Sequence, residues 1–172
     1  PYLYAEYGGV QQPRSGAQHA TIAPYGPFNT GNGTVFFGIQ NEREWAKFCE
    51  VVLQDTTVAT DPRFNSGVVR VQNRPVLHEV INSTFAALTN EEALARLDEA
   101  GIANAQLRDM RDFSAHPQLA ARNRWREVEL PNAETARSLL PPVTAQSYEP
   151  AMGPIPALGA DTDSVLAEFG LN

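Results

Sequence analysis

The stretch Thr34–Leu53, TVFFGIQNEREWAKFCEVVL, changes its hydrophobic period partway along. Val35, Phe37 and Ile39 alternate with Phe36 and Gly38, the period of two that a half-buried strand requires. From Trp45 onward the apolar residues fall at Trp45, Phe48, Cys49, Val52 and Leu53, the spacing of a buried helical stripe. Asn41 stands between the two patterns with Glu44 three residues on, a capping-box relation that starts the helix. A strand face and a helix stripe made by adjoining residues must share one core, so the chain is committed to packing helices on a sheet. Upstream, TIAPYGPF and NTGNG make this strand the second arm of a hairpin over Ile22–Gln40, with Asn32-Gly33 expected to supply positive-φ turn residues. Pro24 and Pro27 cannot donate ladder hydrogen bonds, which places the first arm at an edge or makes it irregular.

The rest of the chain adds helices, then loses regularity. Residues 56–72, TTVATDPRFNSGVVRVQ, are expected to form a loop. Asn73 or Arg74 leads into a helix whose inner face is Leu77, Val80, Ile81, Phe85 and Leu88, with Pro75 tolerated in its first turn. Thr89 and Glu92 form a second capping box, opening a helix with Leu94 and Leu97 inside and Gly101 as its stop. IANAQL reads as a strand, RDMRDF as a short helix, SAHPQLAAR as a turn capped by Ser114, and WREVEL as a strand. Beyond Leu130 come Pro131, Pro141, Pro142, Pro150, Pro154 and Pro156, so that segment is expected to be extended and without a core of its own. It ends in a helix from Asp161 with Val165, Leu166 and Phe169 on its apolar face, as if made to pack on another domain or subunit. The order of elements gives an α+β fold rather than repeated βαβ units.

Composition bounds the function. The 172 residues are 42% hydrophobic and 19% charged, enough for a packed core. A net charge of −7 without a Lys/Arg cluster disfavours nucleic acid, and no apolar run approaches the length of a membrane span. The single cysteine, Cys49, excludes an internal disulfide and fits a reducing, cytoplasmic setting; its place in the helical stripe makes it a core side chain rather than a nucleophile. The opening PYLYAEYGGV lacks a Met, a basic n-region and a signal cleavage pattern. Its tyrosines and leucine read as the end of a buried element, so the chain is expected to be the C-terminal part of a longer protein. The other reading is a complete chain whose Met was removed.

No familiar catalytic pattern is present. Gly31-Asn-Gly33 has neither the length nor the lysine of a phosphate-binding loop, and no G-x-S-x-G elbow occurs. His19, His78 and His116 are far apart with no metal-ligand spacing, so no metal site is expected. His78 reads as a boundary residue on its helix and His116 as a hydrogen-bonding residue of a turn. What stands out is PRSGAQHATIAPYGPF, residues 13–28, which combines turn residues with an arginine, a histidine and a tyrosine able to handle a charged ligand.

Four segments in order resemble the class III CoA-transferases, the CaiB/BaiF family: PRSGAQHATIAPYGPFNTGNGTVFFGIQNEREW, DPRFNSGVVRVQNRPVLHEVI, LARLDEAGIANAQLRDMRDFSAHPQLAARNRWREVE and PALGADTDSVLAEFG. The resemblance implies a large nucleotide-binding-like domain followed by a small α+β domain, with a C-terminal arm that returns to the large domain, in an interlocked homodimer. On that pattern residues 1–13 are the end of the large domain or a linker, 14–130 the small domain and 131–172 the arm. It implies that an aspartate attacks an acyl-CoA thioester to give a mixed anhydride, coenzyme A being substrate and not a resident cofactor. That aspartate belongs to the large domain, so no catalytic residue is assigned here, Asp55, Asp61 and Asp109 included. What carries over is the acceptor side. Arg14-Ser-Gly16 matches the start of a loop that in some relatives holds a glycine run and closes over the thioester. Here the loop continues Gln18-His-Ala-Thr-Ile-Ala-Pro-Tyr25, which favours a stiffer wall presenting His19 and Tyr25.

The form QPRxGxxHxxIxPY resembles members that act on small dicarboxylates of the succinate, itaconate, malate or mesaconate type. Arg14, Gly16, Gln18, His19 and Tyr25 are therefore the expected substrate-binding residues. Arg14 would clamp a carboxylate, and His19 or Gln18 would hydrogen-bond the acyl carbonyl or the distal carboxylate. In the plainer reading Arg14 pairs with a carboxylate at a domain interface and His19 bonds its own loop. Two alternatives for the whole remain open: α-methylacyl-CoA racemisation, a sibling chemistry on the same fold, and a dimerisation module without catalysis.

Overall fold

The period change of residues 34–53 becomes a strand followed by a helix. The computed structural model describes residues 2–9, 11, 13–143, 145 and 147–171. Helix α1 (Tyr2–Gly8) precedes β1 (Tyr25–Asn29), β2 (Thr34–Gly38) and α2 (Glu42–Lys47), which runs on through a π-helical turn over Phe48–Val52. Then come α3 (Thr57–Thr60), α4 (Gly67–Gln72), α5 (Arg74–Phe85), α6 (Asn90–Glu99) and β3 (Asn104–Gln106). The remaining elements are α7 (Met110–Ser114), α8 (Pro117–Ala121), β4 (Trp125–Glu129), β5 (Thr135–Leu139) and α9 (Thr162–Glu168). Helices with small antiparallel sheets make this an α+β chain, as expected. It divides into two compact units, Pro1–Leu107 and Arg108–Asn172.

In the first unit the sheet order is β1-β2-β3, all antiparallel, with Tyr25 opposite Gly38 and Phe28 opposite Val35. Its inner face gives Phe28, Val35 and Phe37 to the core, joined by Ile39 just past the strand. α2, α5 and α6 supply Trp45, Phe48, Cys49, Val52, Leu77, Ile81, Phe85 and Leu97, all buried as their spacing required. Phe37 is the hub: its ring stacks on Phe28 at 4.7 Å, Phe48 at 5.2 Å and Phe85 at 5.5 Å between centroids. Burying each such side chain contributes about 1.5–3 kcal/mol. Both helix caps form. Asn41 accepts from the Glu44 N–H at 3.0 Å, and Thr89 and Glu92 close the full capping box.

Several expectations need correction. Asn32 and Gly33 do not adopt positive φ; the hairpin turn spans Thr30–Gly33, closed by a 2.9 Å hydrogen bond from Thr30 N–H to the Gly33 carbonyl. The glycines are there for close approach instead. Gly31 donates to the Leu88 carbonyl at 2.7 Å, and a Cβ on Gly33 would run into the Asn90 amide. Residues 56–72 are not a plain loop but hold α3 and α4. There Arg70, 3% exposed, bonds the Ala23 and Phe64 carbonyls, pairs with Glu42 at 2.8 Å and lies 4.7 Å from the Trp45 ring centre. That pairing holds the Glu42 carboxyl below its ordinary range.

In the second unit His116, not Ser114, caps the turn, its Nδ1 accepting from the Gln118 N–H at 3.1 Å. The segment after Leu130 is not wholly extended: β5 pairs with β4 across Glu129–Thr135, so the boundary drawn at residue 130 falls at the entry to a hairpin turn. Arg137 covers the Trp125 ring at 4.3 Å, and Arg124 donates to the Leu140 and Pro141 carbonyls. Val165, Leu166 and Phe169 on α9 are exposed within this unit. So are Tyr2, Leu3 and Tyr7 on α1 within the first.

Candidate substrate-recognition site

Residues 13–25 run from the end of the N-terminal segment into β1, and their shape is set by three local devices. Gly16 lies at φ 62, the left-handed region, in a tight turn closed by Gln18 N–H to the Ser15 carbonyl at 3.1 Å. A second bond, His19 N–H to the Tyr25 carbonyl at 3.3 Å, folds the loop back on the start of the strand. The third lies inside that fold: the Thr21 N–H donates to His19 Nδ1 at 3.2 Å. An imidazole nitrogen that accepts a hydrogen bond carries no proton, so neutral His19 keeps its hydrogen on Nε2. His19 is exposed, and its Nε2–H is the side chain's remaining donor.

Tyr25 forms the floor beside it. Its ring lies 5.2 Å from the His19 ring and meets Phe36 edge-on at 5.7 Å. Gly38, opposite Tyr25 in the register, leaves the space the ring occupies: a Cβ there would fall within the tyrosine's van der Waals envelope. Tyr25 and Gly38 also line a shallow pocket of about 230 Å³ on the outer face of the sheet. Arg14 is exposed and lines a cleft of about 290 Å³ together with Ser15, Gln18 and Arg74. Arg14 and Gln18 line this cleft while His19 and Tyr25 pack on each other further along the same loop, with Gly16 in its turn.

Two residues of this wall were not foreseen. Arg74, the first residue of α5, donates through Nη2 to the carbonyls of His19 (2.7 Å) and Ile22 (3.3 Å), with Ala20 at 3.4 Å. Its Nη1 donates to Gln18 Oε1 at 3.2 Å. His78, one turn further along α5, places Nδ1 3.5 Å from Gln18 Nε2 and its ring edge-on to Phe28. Gln18 is therefore half-buried and held, not free to reach outward. The signal in RPVLHEVI was a cation at a helix start, where the dipole disfavours it, four residues before a histidine on the same face.

Burial and the Arg74 guanidinium hold the His78 imidazole below its ordinary value of 6.5. Burial drives the Cys49 thiol up to about 12, so it is the inert core side chain its spacing indicated. Among the described residues no group of three or more His, Cys, Asp or Glu is placed to hold a metal ion. No helix among the described residues is long and apolar enough to cross a membrane. The wall presents hydrogen-bond donors, an arginine and an aromatic floor, a set suited to binding a carboxylate rather than to breaking a bond.

Comparison with known proteins gives the family and the fold. The model of CoA-transferase family III matches residues 1–162, and the chain belongs to that family. An acyl-CoA transferase of Fusarium pseudograminearum is 32% identical over 95% of this chain and 36% of its own length. The human succinyl-CoA:glutarate CoA-transferase is 24% identical over 97% of the chain and 39% of its own length. The crystal structure of a CAIB/BAIF family protein from Brucella suis superposes with a TM-score of 0.79 at 22% identity, covering 97% of this chain and 43% of that one. The chain thus spans well under half the length of these relatives.

Proposed function

We propose that this chain is the acid-recognition portion of an enzyme that moves coenzyme A from an acyl-CoA, such as succinyl-CoA, to a small dicarboxylic acid. The observation that carries the reading is the state of His19: Nδ1 is taken by the Thr21 N–H, so Nε2–H is left as a donor on an exposed loop. Relatives named for succinyl-CoA with glutarate or with mesaconate support a diacid as the acceptor. In this scheme an aspartate outside residues 1–172 attacks the thioester carbonyl; a C–O bond forms, the C–S bond breaks, and a mixed anhydride and CoA thiolate result. The thiolate attacks the aspartyl carbonyl and expels the first acid, leaving an aspartyl–CoA thioester. The carboxylate of the incoming acid displaces the thiolate to form a second anhydride, and the thiolate attacks its acyl carbonyl, releasing the new CoA thioester and the free aspartate. His19 donates to a carboxylate oxygen of that acid, Arg14 pairs with its other carboxylate across the loop, and Tyr25 closes the apolar side. Residues 1–13 end or leave a large domain, 131–172 return to it, and the enzyme works in the cytoplasm as an interlocked homodimer.

His19→Ala in the full-length protein tests the reading. A hydrogen bond to a charged group contributes about 1.5–3 kcal/mol, so kcat/KM for the diacid drops roughly tenfold or more at saturating acyl-CoA. Because His19 is exposed, Tm stays within about 2 °C. Unchanged kinetics with every diacid tried would remove His19 from recognition.

A further inference from the structure

Arg74 sits where three effects oppose a cation. It is half-buried, and that burial lowers its pKa; it occupies the first turn of α5, at the positive end of the helix dipole; and among the described residues no carboxylate lies within ion-pair distance of it. The guanidinium is neutralised instead by dipoles. The carbonyls of His19 and Ile22, with Ala20 more distant, face Nη2, and Gln18 Oε1 faces Nη1. All four acceptors belong to the loop, none to α5 or its own helix partners. Only a planar fork of five donors can address that many acceptors at once; an ammonium on a flexible stem cannot.

The bond to the His19 carbonyl, at 2.7 Å, is the shortest of these. It fixes the peptide from which the imidazole hangs, while the Thr21 N–H fixes the imidazole's rotation. Gln18 is locked on the same side: because Oε1 accepts from Arg74, Nε2 must face His78 Nδ1. The loop has no glycine after Gly16 until Gly26, so its order comes from this anchor as well as from its own turn.

We propose that Arg74 is a positioning residue for acid recognition: by gripping the backbone of residues 19–22 and the Gln18 amide it holds His19 with Nε2–H turned toward the acceptor. This rests on the functional reading above and adds to it the residue on which the wall's geometry depends. A displaced donor loses much of its worth in binding the free acid and less in binding the acyl-CoA, whose coenzyme A portion is held elsewhere in this reading.

The test is a double-mutant cycle in the full-length enzyme, with KM for the diacid and KM for the acyl-CoA read separately in Arg74→Ala, His19→Ala and the double variant. The inference expects Arg74→Ala to raise the diacid KM about tenfold with the acyl-CoA KM within about twofold, and the double variant to be no worse than His19→Ala alone. Multiplicative effects would show that Arg74 acts on its own and would overturn the inference while leaving the role of His19 standing. An acyl-CoA KM that rises in step with the diacid KM also overturns it, since Arg74 would then support the fold generally. If His19→Ala is silent, both the functional reading and this inference fall. Arg74→Lys keeps the charge without the fork and serves if the alanine variant does not fold; it is expected to raise the diacid KM by a similar factor, and full rescue by lysine counts against the inference.

Discussion

Among the described residues His78 Nε2 is sealed from solvent without a hydrogen-bond partner, while Nδ1 faces Gln18, the ring meets Phe28, and Arg74 stands one turn away. Protonation would add a second cation beside Arg74 and remove the acceptor facing Gln18. Burial first, and Arg74 second, therefore hold its pKa below 6.5 in the folded protein. Between that lowered value and 6.5 the unfolded chain binds more protons, so stability is complete above 6.5 and falls as pH drops through the window. His78→Leu is expected to flatten this part of the curve, seen as the difference between variant and wild type in urea midpoint measured from pH 7 downward. A parallel loss in both proteins would mean that His78 is not the responsible group. The sequence could show His78 on a helix but not its setting, because that depends on a loop some 60 residues away in the chain. Arg74 was hidden for the same reason: its partners are carbonyl groups, which leave no trace in side-chain spacing.

The elements themselves were largely legible. Strand and helix periods, two capping boxes and a first-turn proline are local signals, and β2, α2, α5 and α6 form where those signals stand. Failures occurred where tertiary contact replaced a local rule. Asn32-Gly33 was expected to supply positive φ to the turn, yet Gly33 makes room for Asn90 and Gly31 for the backbone at Ala86 and Leu88. The helices α3 and α4 were missed because α4 depends on Arg70 reaching Ala23, Phe64 and Glu42. Gly38 shows the same logic with a functional consequence, since the Tyr25 ring lies on it across the β1–β2 ladder. Gly38→Ala forces that ring away from its place beside His19. It is expected to destabilise by about 1–3 kcal/mol in urea unfolding and to lower diacid kcat/KM as well. Wild-type stability together with wild-type kinetics would show that the ring moves without consequence.

At the scale of the molecule, the buried apolar side chains of the described residues lie in the first unit, with Val128 the exception in the second. The proposed recognition loop belongs to the unit that has the core, and Arg70 and Arg74 tie residues 19–23 to helices of that same core. Under the proposed function, bond-making occurs elsewhere in the protein and this segment selects the acid. The most direct test of that account uses the full-length protein with succinyl-CoA and an isotopically labelled free diacid. The account predicts a labelled CoA thioester formed in step with released succinate, at a rate that saturates with the diacid. Consumption of the acyl-CoA with no labelled thioester would contradict it, as would solvent deuterium entering the α-carbon of an acyl-CoA without any exchange of coenzyme A.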